Sequence, residues 1–455
     1  MSKNKLFGTD GIRGTPGEYP LTDEMILKIG KAAAQLLHNQ RKIGQKHYKI
    51  IIGKDTRLSC EVIEKLLVGG ISACGVDVSL VGIVSTPGLS FLTRRLKADM
   101  GIMISASHNR AEENGIKFFS SSGYKLSDTQ EKMMEELVSG SFIDSDKLSV
   151  DESGLVTHAH DGERLYIDFL KSKASNLDLS ELKIVVDCAH GALYSIAVQL
   201  FKELGAKVFV LNDQPNGKNI NLNCGALHPE NMAKAVLKNK ADIGFSYDGD
   251  GDRVILSDEL GNILDGDFIM AIVGTQLIKE NKLPMKSIVA TVMSNFGLEE
   301  ALLKAGGKLI RTDVGDRNVT EALLKNNLIF GGEQAGHIIF LQQSTSGDAL
   351  IVSLEILKVM QQTGRKLSAL SSCMKKYPQI LVNIKVKEKK PFEEVPVIRD
   401  ALKHSLAQLK DNGRILLRYS GTETLARVMV EGKDKAEIDS IAHSLASVIK
   451  QELGV

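Results

Sequence analysis

Short apolar runs alternate with segments of helical periodicity along most of the chain. In three places the order is an apolar run, a helical segment, a glycine and a second apolar run. The first apolar runs of the three stretches lie at residues 48–55, 182–191 and 287–297. The glycines that follow the helical segments are Gly75, Gly205 and Gly306. Strand-like runs that alternate with helices are typical of βαβ units, and glycine is common where a helix ends. The pattern therefore predicts three similar α/β domains with doubly wound parallel sheets.

Each of these units has a later apolar run that ends in a polar loop. The first two runs begin almost identically, as "KADMGIMISASHN" (97–109) and "KADIGFSYDGDGDR" (240–253), and the third is "NNLIFGGEQAGH" (326–337). In doubly wound sheets, ligands bind outside the carboxyl ends of the strands. We therefore expect three chemically different loops to face one central cleft.

The C-terminal part departs from this repeat. After a helix over 348–364 we expect a strand, a helix, two strands and a final helix, at 379–386, 394–409, 413–420, 425–432 and 434–452. This order predicts a smaller α+β domain. Together with the repeat it predicts four domains, at 1–155, 156–257, 258–372 and 373–455.

Length and composition narrow the class of protein. A chain of 455 residues is too long for one hydrophobic core, and its net charge of +1 without a long Lys/Arg run argues against nucleic-acid binding. No apolar stretch approaches the roughly 18 residues that a membrane span needs, and the N-terminus lacks a secretory-signal pattern. The five cysteines lack metal-ligand spacing. They are predicted to be free thiols in the cytoplasm.

The first polar loop brings two hydroxyls and an imidazole to the end of an apolar run. Ser105, Ser107 and His108 follow directly after residues 101–104. Two interpretations are open at this stage: an ordinary polar loop, or a loop in which one serine is a nucleophile. The position of Ser107 just beyond the expected strand end favours it slightly over Ser105.

The second polar loop carries three closely spaced acids. Asp248, Asp250 and Asp252 alternate with glycines and are followed by Arg253. Carboxylates this close repel one another unless a cation lies between them, and oxygen ligands favour a hard divalent ion. Mg²⁺ is the predicted occupant, because Arg253 stands where a calcium EF-hand loop requires glycine and the flanking segments resemble strands. Two alternatives stay open: a solvated acidic turn, and a phosphatase with Asp248 as nucleophile and Asp250 as acid.

The α+β domain contributes a loop with the composition of a phosphate site. The stretch "RYSGTETLAR" (418–427) contains Arg418, Ser420, Gly421, Thr422 and Arg427. Cationic side chains and the backbone amides of a glycine turn suit a phosphate group. The sequence contains neither a P-loop nor a kinase glycine loop, so no nucleotide donor is evident. A hydroxyl nucleophile, a divalent metal and a phosphate site together indicate phosphoryl transfer on a phosphorylated polyol, with the enzyme carrying the phosphoryl group.

Five motifs in this order resemble the signature loops of the phosphohexomutases. They are "FGTDGIRG" (7–14), "SASHN" (105–109), "DGDGDR" (248–253), "GEQAGH" (332–337) and "RYSGTE" (418–423). The resemblance covers essentially the whole chain and implies that family's four-domain fold and its isomerase activity. Within the family, "FGTDGIRG" and the glutamine of "GEQ" resemble the bacterial phosphoglucosamine mutases. Phosphomannomutases and phosphoglucomutases of the same family are the alternative.

The resemblance also implies a role for each matched residue. The serine directly before the histidine, Ser107, would be phosphorylated and would bind Mg²⁺ together with Asp248, Asp250 and Asp252. Proton handling and charge stabilisation would fall to Arg13, His108, Lys117, Arg253 and His337. Sugar and phosphate would be held by Glu333, His337, Arg418, Ser420, Gly421, Thr422 and Arg427.

The implied reaction interconverts glucosamine 6-phosphate and glucosamine 1-phosphate through a bisphosphorylated sugar. Its small-molecule partner would be a hexosamine phosphate, a sugar 1,6-bisphosphate would act as activator, and the enzyme would be a homodimer without nucleic-acid or membrane partners. Three positions depart from the family pattern: Ala335 replaces the usual serine, and Tyr419 and Thr424 replace prolines. Because Ala335 removes a hydroxyl from the sugar loop, the sugar preference is less well determined than the reaction type.

Overall fold

Four β-sheets follow one another along the chain, each with helices packed against it. The structure is a computed structural model that describes residues 5–8, 10–40, 47–140, 153–420 and 424–455. Within these residues the first three sheets belong to α/β domains and the last to a smaller α+β domain, as the sequence predicts.

The first domain contains a six-stranded sheet. Its strands are β1 (Ile12–Gly14), β2 (Lys49–Lys54), β3 (Asp77–Ile83), β4 (Met100–Ile104), β5 (Asn114–Ser120) and β6 (Val156–His158). Its helices are α1 (Asp23–Asn39), α2 (Cys60–Ser72), α3 (Thr86–Arg95) and α4 (Asp128–Val138). The strand order is β1-β5-β4-β2-β3-β6. Strand β4 is buried along its whole length, which is expected for an apolar strand covered on both faces.

The second and third domains are built in a similar way. The second contains α5 (Gly162–Lys173), β7 (Lys183–Asp187), α6 (Ile196–Glu203), β8 (Lys207–Leu211), α7 (Glu230–Asn239), β9 (Ile243–Tyr247), β10 (Val254–Asp258) and β11 (Ile263–Leu264). The third contains α8 (Gly266–Lys279), β12 (Ser287–Thr291), α9 (Phe296–Lys304), β13 (Lys308–Thr312), α10 (Asp316–Lys325), β14 (Phe330–Gly332), β15 (Ile338–Phe340), α11 (Ala349–Thr363) and α12 (Leu367–Ser371). Their strand orders are β11-β10-β9-β7-β8 and β13-β12-β14-β15.

The fourth domain is the predicted α+β unit. It contains β16 (Gln379–Lys385), α13 (Pro396–Leu409), β17 (Gly413–Tyr419), β18 (Leu425–Gly432) and α14 (Lys435–Leu453). The central strand β18 pairs antiparallel with both β16 and β17. Helices α13 and α14 pack together beside this sheet, which has a hydrophobic core of its own.

The polar loops of the three α/β domains are the connections of antiparallel hairpins. Strand β4 pairs antiparallel with β5, β9 with β10, and β14 with β15. The loops between them span residues 105–113, 248–253 and 333–337. The sheets are therefore mixed rather than purely parallel as expected, because a connection this short returns the chain antiparallel, whereas a parallel return requires a crossover. The central strands of each unit are parallel as predicted.

The second and third domains share one hydrophobic core. This core joins residues of the second sheet, such as Phe245, to residues of the third domain, such as Ile288 and Leu302. Helix α11 packs on both α5 and α8 and completes the shared core. The first domain has a separate core. Two of the three polar loops are thus carried by one packed body.

Strand pairing assigns two short segments differently from the predicted domain boundaries. Strand β6, just after the boundary at 155, pairs with β3 of the first sheet. Strand β11, just after the boundary at 257, pairs with β10 of the second sheet. The predicted boundaries remain a proposal, but the one at 155 directly precedes β6, and the one at 257 lies within β10, before β11.

All five cysteines are free thiols, as the sequence predicts, and four of them are buried. Among the helices of the described residues, none combines the length and apolar character that crossing a membrane requires.

Candidate active site

The first polar loop turns sharply as it leaves the buried strand β4. Ser107 has a φ of 53°, in the left-handed region, and is 1% exposed. Its Oγ donates a hydrogen bond to Asp248 Oδ2 at 2.6 Å and lies 3.3 Å from His108 Nδ1. Ser105 Oγ instead donates to Asp55 Oδ2 at 2.6 Å and accepts from the amide of Ser107 at 2.9 Å. The geometry therefore separates the two serines: the Ser107 hydroxyl reaches the acidic loop, and the Ser105 hydroxyl is used within its own domain.

The acidic loop turns back tightly between β9 and β10 and touches the serine loop. One carboxylate oxygen from each of Asp248, Asp250 and Asp252 lies within 4.8 Å of the others. Gly249 permits the close approach, because a Cβ atom at this position would lie 2.6 Å from the carbonyl oxygen of Ser107. A side chain at position 249 would push the acidic loop away from the serine.

The three carboxylates suit a divalent cation. All are buried, and Asp250 Oδ1 and Asp252 Oδ1 have no hydrogen-bond partner within the described parts of the chain. Burial and the two neighbouring carboxylates raise the pKa of Asp248 well above its ordinary value, which is the repulsion that a cation would relieve. A small cluster of carboxylate oxygens is the donor set that Mg²⁺ prefers. The residues present therefore fit the predicted magnesium site.

A buried lysine lies against this cluster. Lys117, on β5, places its Nζ 2.8 Å from Asp250 Oδ2 and 2.9 Å from Asp10 Oδ2. Asp252 Oδ2 is farther away, at 3.8 Å. Burial alone would lower the pKa of this ammonium, but the three carboxylates outweigh burial and raise it above its ordinary value. Lys117 is therefore positively charged beside the acidic loop.

A chain of alternating charges crosses from the first domain to the third. Lys125 forms ion pairs with Asp10 and Asp316. His337 lies next in the chain, with Nε2 3.8 Å from Asp316 Oδ2 and Nδ1 3.5 Å from Asp252 Oδ2. Burial opposes the protonated form of His337, but these carboxylates outweigh burial and raise its pKa. Ionic contacts thus join the acidic loop to the third polar loop, and the Ser107–Asp248 hydrogen bond adds the serine loop.

Three further basic side chains border the site. Arg13 Nη2 lies 2.6 Å from Asp10 Oδ2, and Arg253 Nε lies 3.8 Å from Asp252 Oδ1. Burial, together with the cations of Arg253 and Arg13, lowers the pKa of His108 to about 4. His108 is therefore neutral near pH 7, beside the guanidinium groups of Arg13 and Arg253.

An open cavity of about 470 Å³ lies where the first three domains meet. Arg13 and His108 lie on one side, and Glu333 and His337 of the third polar loop lie on the other. Glu333 Oε1 accepts a hydrogen bond from the amide of Gly315 at 3.0 Å, which fixes the orientation of the carboxylate. The volume is in the range of small-molecule sites.

The predicted phosphate loop does not belong to this cavity as far as the structure describes it. Arg418 and Arg427 lie opposite each other on β17 and β18, and burial with the neighbouring Arg427 lowers the pKa of Arg418. Ser420 is buried directly after β17. Gly421 and Thr422 lie outside the described residues. Of the described residues, those that line the cavity come from the first three domains.

Sequence reasoning missed several residues of the network. Asp10 lies within "FGTDGIRG", but a single acid in a motif gave no signal of its own. Lys125 and Asp316 are isolated charges in the sequence. Thr86, whose Oγ1 donates to Asp250 Oδ2 at 2.5 Å, stands at the start of α3. These contacts depend on how separate domains pack, and no local sequence pattern indicates that packing.

Comparison with known proteins gives the family. Models of the phosphoglucomutase/phosphomannomutase family match four successive parts of the chain. Alpha/beta/alpha domains I, II and III match residues 4–142, 164–261 and 265–377, and the C-terminal domain matches residues 381–448. The chain belongs to the phosphoglucomutase/phosphomannomutase family.

Relatives of similar length carry a more specific name. Proteins named phosphoglucosamine mutase from Geobacter sp. (strain M21) and Syntrophotalea carbinolica are each 48% identical to this chain. The matches cover 99% and 100% of this chain, and 98% and 99% of the two relatives. The predicted phosphohexomutase family is therefore confirmed, and the chain is an isomerase of that type.

Solved structures support the fold. A phosphoglucomutase/phosphomannomutase family protein from Burkholderia thailandensis superposes with a TM-score of 0.80 at 24% identity, with 100% of both chains covered. A putative phosphomannomutase from Thermus thermophilus has a TM-score of 0.75 at 20% identity, over 99% of this chain and 100% of that one. At such identities the similarity shows the fold alone.

Proposed function

We propose that the chain interconverts glucosamine 6-phosphate and glucosamine 1-phosphate through a phosphorylated Ser107. The observation that carries this proposal is the Ser107 hydroxyl, buried 2.6 Å from Asp248 Oδ2 beside three clustered carboxylates. The full-length relatives named phosphoglucosamine mutase support an amino sugar as the substrate.

Each half of the reaction transfers one phosphoryl group. In the first half, O1 of glucosamine 6-phosphate attacks the phosphorus of phospho-Ser107, the O1–P bond forms, the Oγ–P bond breaks, and the O1 proton passes to a base. The product is glucosamine 1,6-bisphosphate, which turns over in the cleft. Ser107 Oγ then attacks the phosphorus of the 6-phosphate, and O6 leaves with a proton. This step releases glucosamine 1-phosphate and restores the phosphoserine.

The charged residues of the site take complementary roles in this proposal. Lys117, Arg13 and Arg253 supply positive charge where negative charge accumulates on the transferred phosphoryl group. His108, 3.3 Å from Ser107 Oγ, would take part in proton handling. Mg²⁺ would be held by Asp248, Asp250, Asp252 and an oxygen of phospho-Ser107, and when bound it neutralises charge on the phosphoryl group.

Substrate binding is divided between two loops. Glu333 and His337 would hold the sugar from the third domain, and the phosphate that does not react would be bound by Arg418, Ser420, Gly421, Thr422 and Arg427. Arg418, Ser420 and Arg427 do not line the cavity, and we propose that the fourth domain approaches the cleft during turnover. A sugar 1,6-bisphosphate would act as activator by phosphorylating an unmodified Ser107.

The test is an isomerase assay on glucosamine, glucose and mannose 6-phosphates, with Mg²⁺ and a sugar 1,6-bisphosphate present. We expect the highest kcat/KM with glucosamine 6-phosphate. A higher value with glucose or mannose 6-phosphate would instead support the alternative, a phosphoglucomutase or phosphomannomutase, which Ala335 keeps open. Absence of turnover with all three sugars would contradict the proposal.

A cytoplasmic location and a homodimeric state complete the proposal. Five free thiols are typical of a reducing compartment. Analytical ultracentrifugation would measure the oligomeric state, and a mass equal to one chain at all concentrations would contradict the dimer.

A further inference from the structure

An arginine and an asparagine bind the main chain around Ser107 from two sides. Arg57 is 2% exposed, and its Nη2 donates to the carbonyl oxygens of Ser107 at 3.0 Å and Asn109 at 2.9 Å. Asn221 Nδ2, from the second domain, donates to the same two oxygens at 2.8 and 2.9 Å. Four hydrogen bonds thus converge on two carbonyl groups of one turn.

Arg57 also holds the rest of the serine loop. Its Nη1 donates to the carbonyl oxygens of Arg110 and Glu113, the latter at 3.1 Å. Its Nε pairs with Asp55 Oδ2 at 2.9 Å, and both side chains are fully buried. A guanidinium suits this position, because its N–H donors lie in one plane with fixed directions that an ammonium cannot match.

Asp55, the ion-pair partner of Arg57, supports Ser107 from its amide side. Asp55 Oδ2 accepts from Ser105 Oγ, and Ser105 Oγ in turn accepts from the Ser107 amide. The amide and the carbonyl of Ser107 are therefore both bound. This matters because a non-glycine residue at a φ of 53° is strained and persists there only when the surrounding contacts determine it.

The supporting segment is itself fixed to the second domain. Thr56 Oγ1 donates to the carbonyl of His190 at 2.6 Å, and the amide of Leu58 donates to the carbonyl of Gly217 at 3.0 Å. The domain that supplies Asp248 therefore also holds the turn that presents Ser107. The serine and the acidic loop keep one relative position as a result.

We propose that Arg57 and Asn221 are positioning residues for phosphoryl transfer, which fix the backbone of Ser107 so that its Oγ stays aligned with the acidic loop. The inference rests on the proposed role of Ser107. Neither residue lines the cavity, so both act on turnover rather than on sugar binding. Alignment of reacting atoms is worth a large part of an enzymatic rate, and small misplacements are costly.

The first test compares Asn221→Gly with Asn223→Gly. Both asparagines have a positive φ, 58° and 52°, which glycine adopts without strain, and Asn223 is exposed in the same loop. Relative to Asn223→Gly, we expect kcat of Asn221→Gly to fall by roughly tenfold to a hundredfold while KM changes by less than about twofold. Both variants lose the same backbone restriction, so any further drop in the thermal midpoint of Asn221→Gly reports the two hydrogen bonds that it alone loses.

A second variant, Arg57→Lys, keeps the positive charge beside Asp55 but loses the forked donors. We expect it to lower kcat further than Asn221→Gly at an unchanged KM. Values of kcat equal to the Asn223→Gly control, or a rise in KM at unchanged kcat, would overturn the inference. A wild-type protein without turnover or phosphate on Ser107 would instead contradict the proposed function, so the two failures are distinguishable.

Discussion

The buried centre around Ser107 and the third-domain side of the cavity, where we propose that the sugar binds (the sugar side), are constructed differently. Ser107, Asp248 and Lys117 are each 1% exposed and are fixed by hydrogen bonds and ion pairs from two domains. On the sugar side, Glu333 is only half-buried and Ala335 is exposed. The buried groups are oriented before substrate arrives and need no rearrangement during the reaction. The sugar side, in contrast, can change its contacts without disturbing the core.

This difference predicts how strongly substitutions in each region reduce activity. Changes in the buried centre should lower kcat strongly for every sugar. Changes on the open side should be smaller and should alter the ratio between sugars.

The largest effect is expected from Ser107→Ala. Without the hydroxyl there is no phosphoryl carrier, so turnover should fall by about a thousandfold or more. Incubation with a labelled sugar 1,6-bisphosphate should leave the variant unlabelled. The matched variant is Ser105→Ala, which should still become labelled with reduced turnover, because its hydroxyl links Asp55 to the Ser107 amide and carries no phosphoryl group in the proposed reaction. Label on the Ser107→Ala protein would place the phosphate elsewhere.

The next effect is expected from Asp250→Ala. The substitution removes one of three clustered carboxylates and one partner of Lys117, so Mg²⁺-dependent kcat should fall by roughly a hundredfold to a thousandfold. The fold should persist, because one source of repulsion is removed and Asp10 still pairs with Lys117. Asp400→Ala, an exposed acid on α13, is the control. Unchanged turnover and Mg²⁺ dependence in Asp250→Ala would contradict the assignment.

The smallest effect concerns sugar selectivity and the substitution Glu333→Gln. Glutamine retains an oxygen for the Gly315 amide but loses the negative charge, so kcat/KM should fall more for glucosamine 6-phosphate than for glucose 6-phosphate. A charge-assisted hydrogen bond predicts a difference of roughly tenfold. Ala335→Ser, two residues away, should change the ratio only modestly. Equal losses for both sugars in Glu333→Gln would mean that this carboxylate does not recognise the amine.

Sequence patterns predicted the parts of the fold that are locally encoded. Three repeats, their polar loops and the α+β domain could be located because each element has its own hydrophobic periodicity and is bounded by glycine or polar residues. The direction of the strand after each loop was missed, since a parallel and an antiparallel return look alike in hydrophobic pattern. The three clustered aspartates could be found because they lie close together in sequence.

Contacts between distant segments were beyond the reach of sequence patterns. Ser105 and Ser107 both follow β4, and the pattern alone barely separated them, because the hydrogen bonds that distinguish them involve Asp55 and Asp248. The carboxylates around Lys117 likewise come from segments far apart in the chain. Such groups meet only after the domains pack.

We propose that the buried centre transfers phosphoryl groups through Ser107. Intact mass and peptide mapping of the protein incubated with a sugar 1,6-bisphosphate would locate the phosphate. We expect one phosphate on Ser107, stable to hydroxylamine as a phosphate ester is. A hydroxylamine-labile phosphate on Asp248 would instead identify an aspartyl-phosphate enzyme and rule out Ser107 as the phosphoryl carrier.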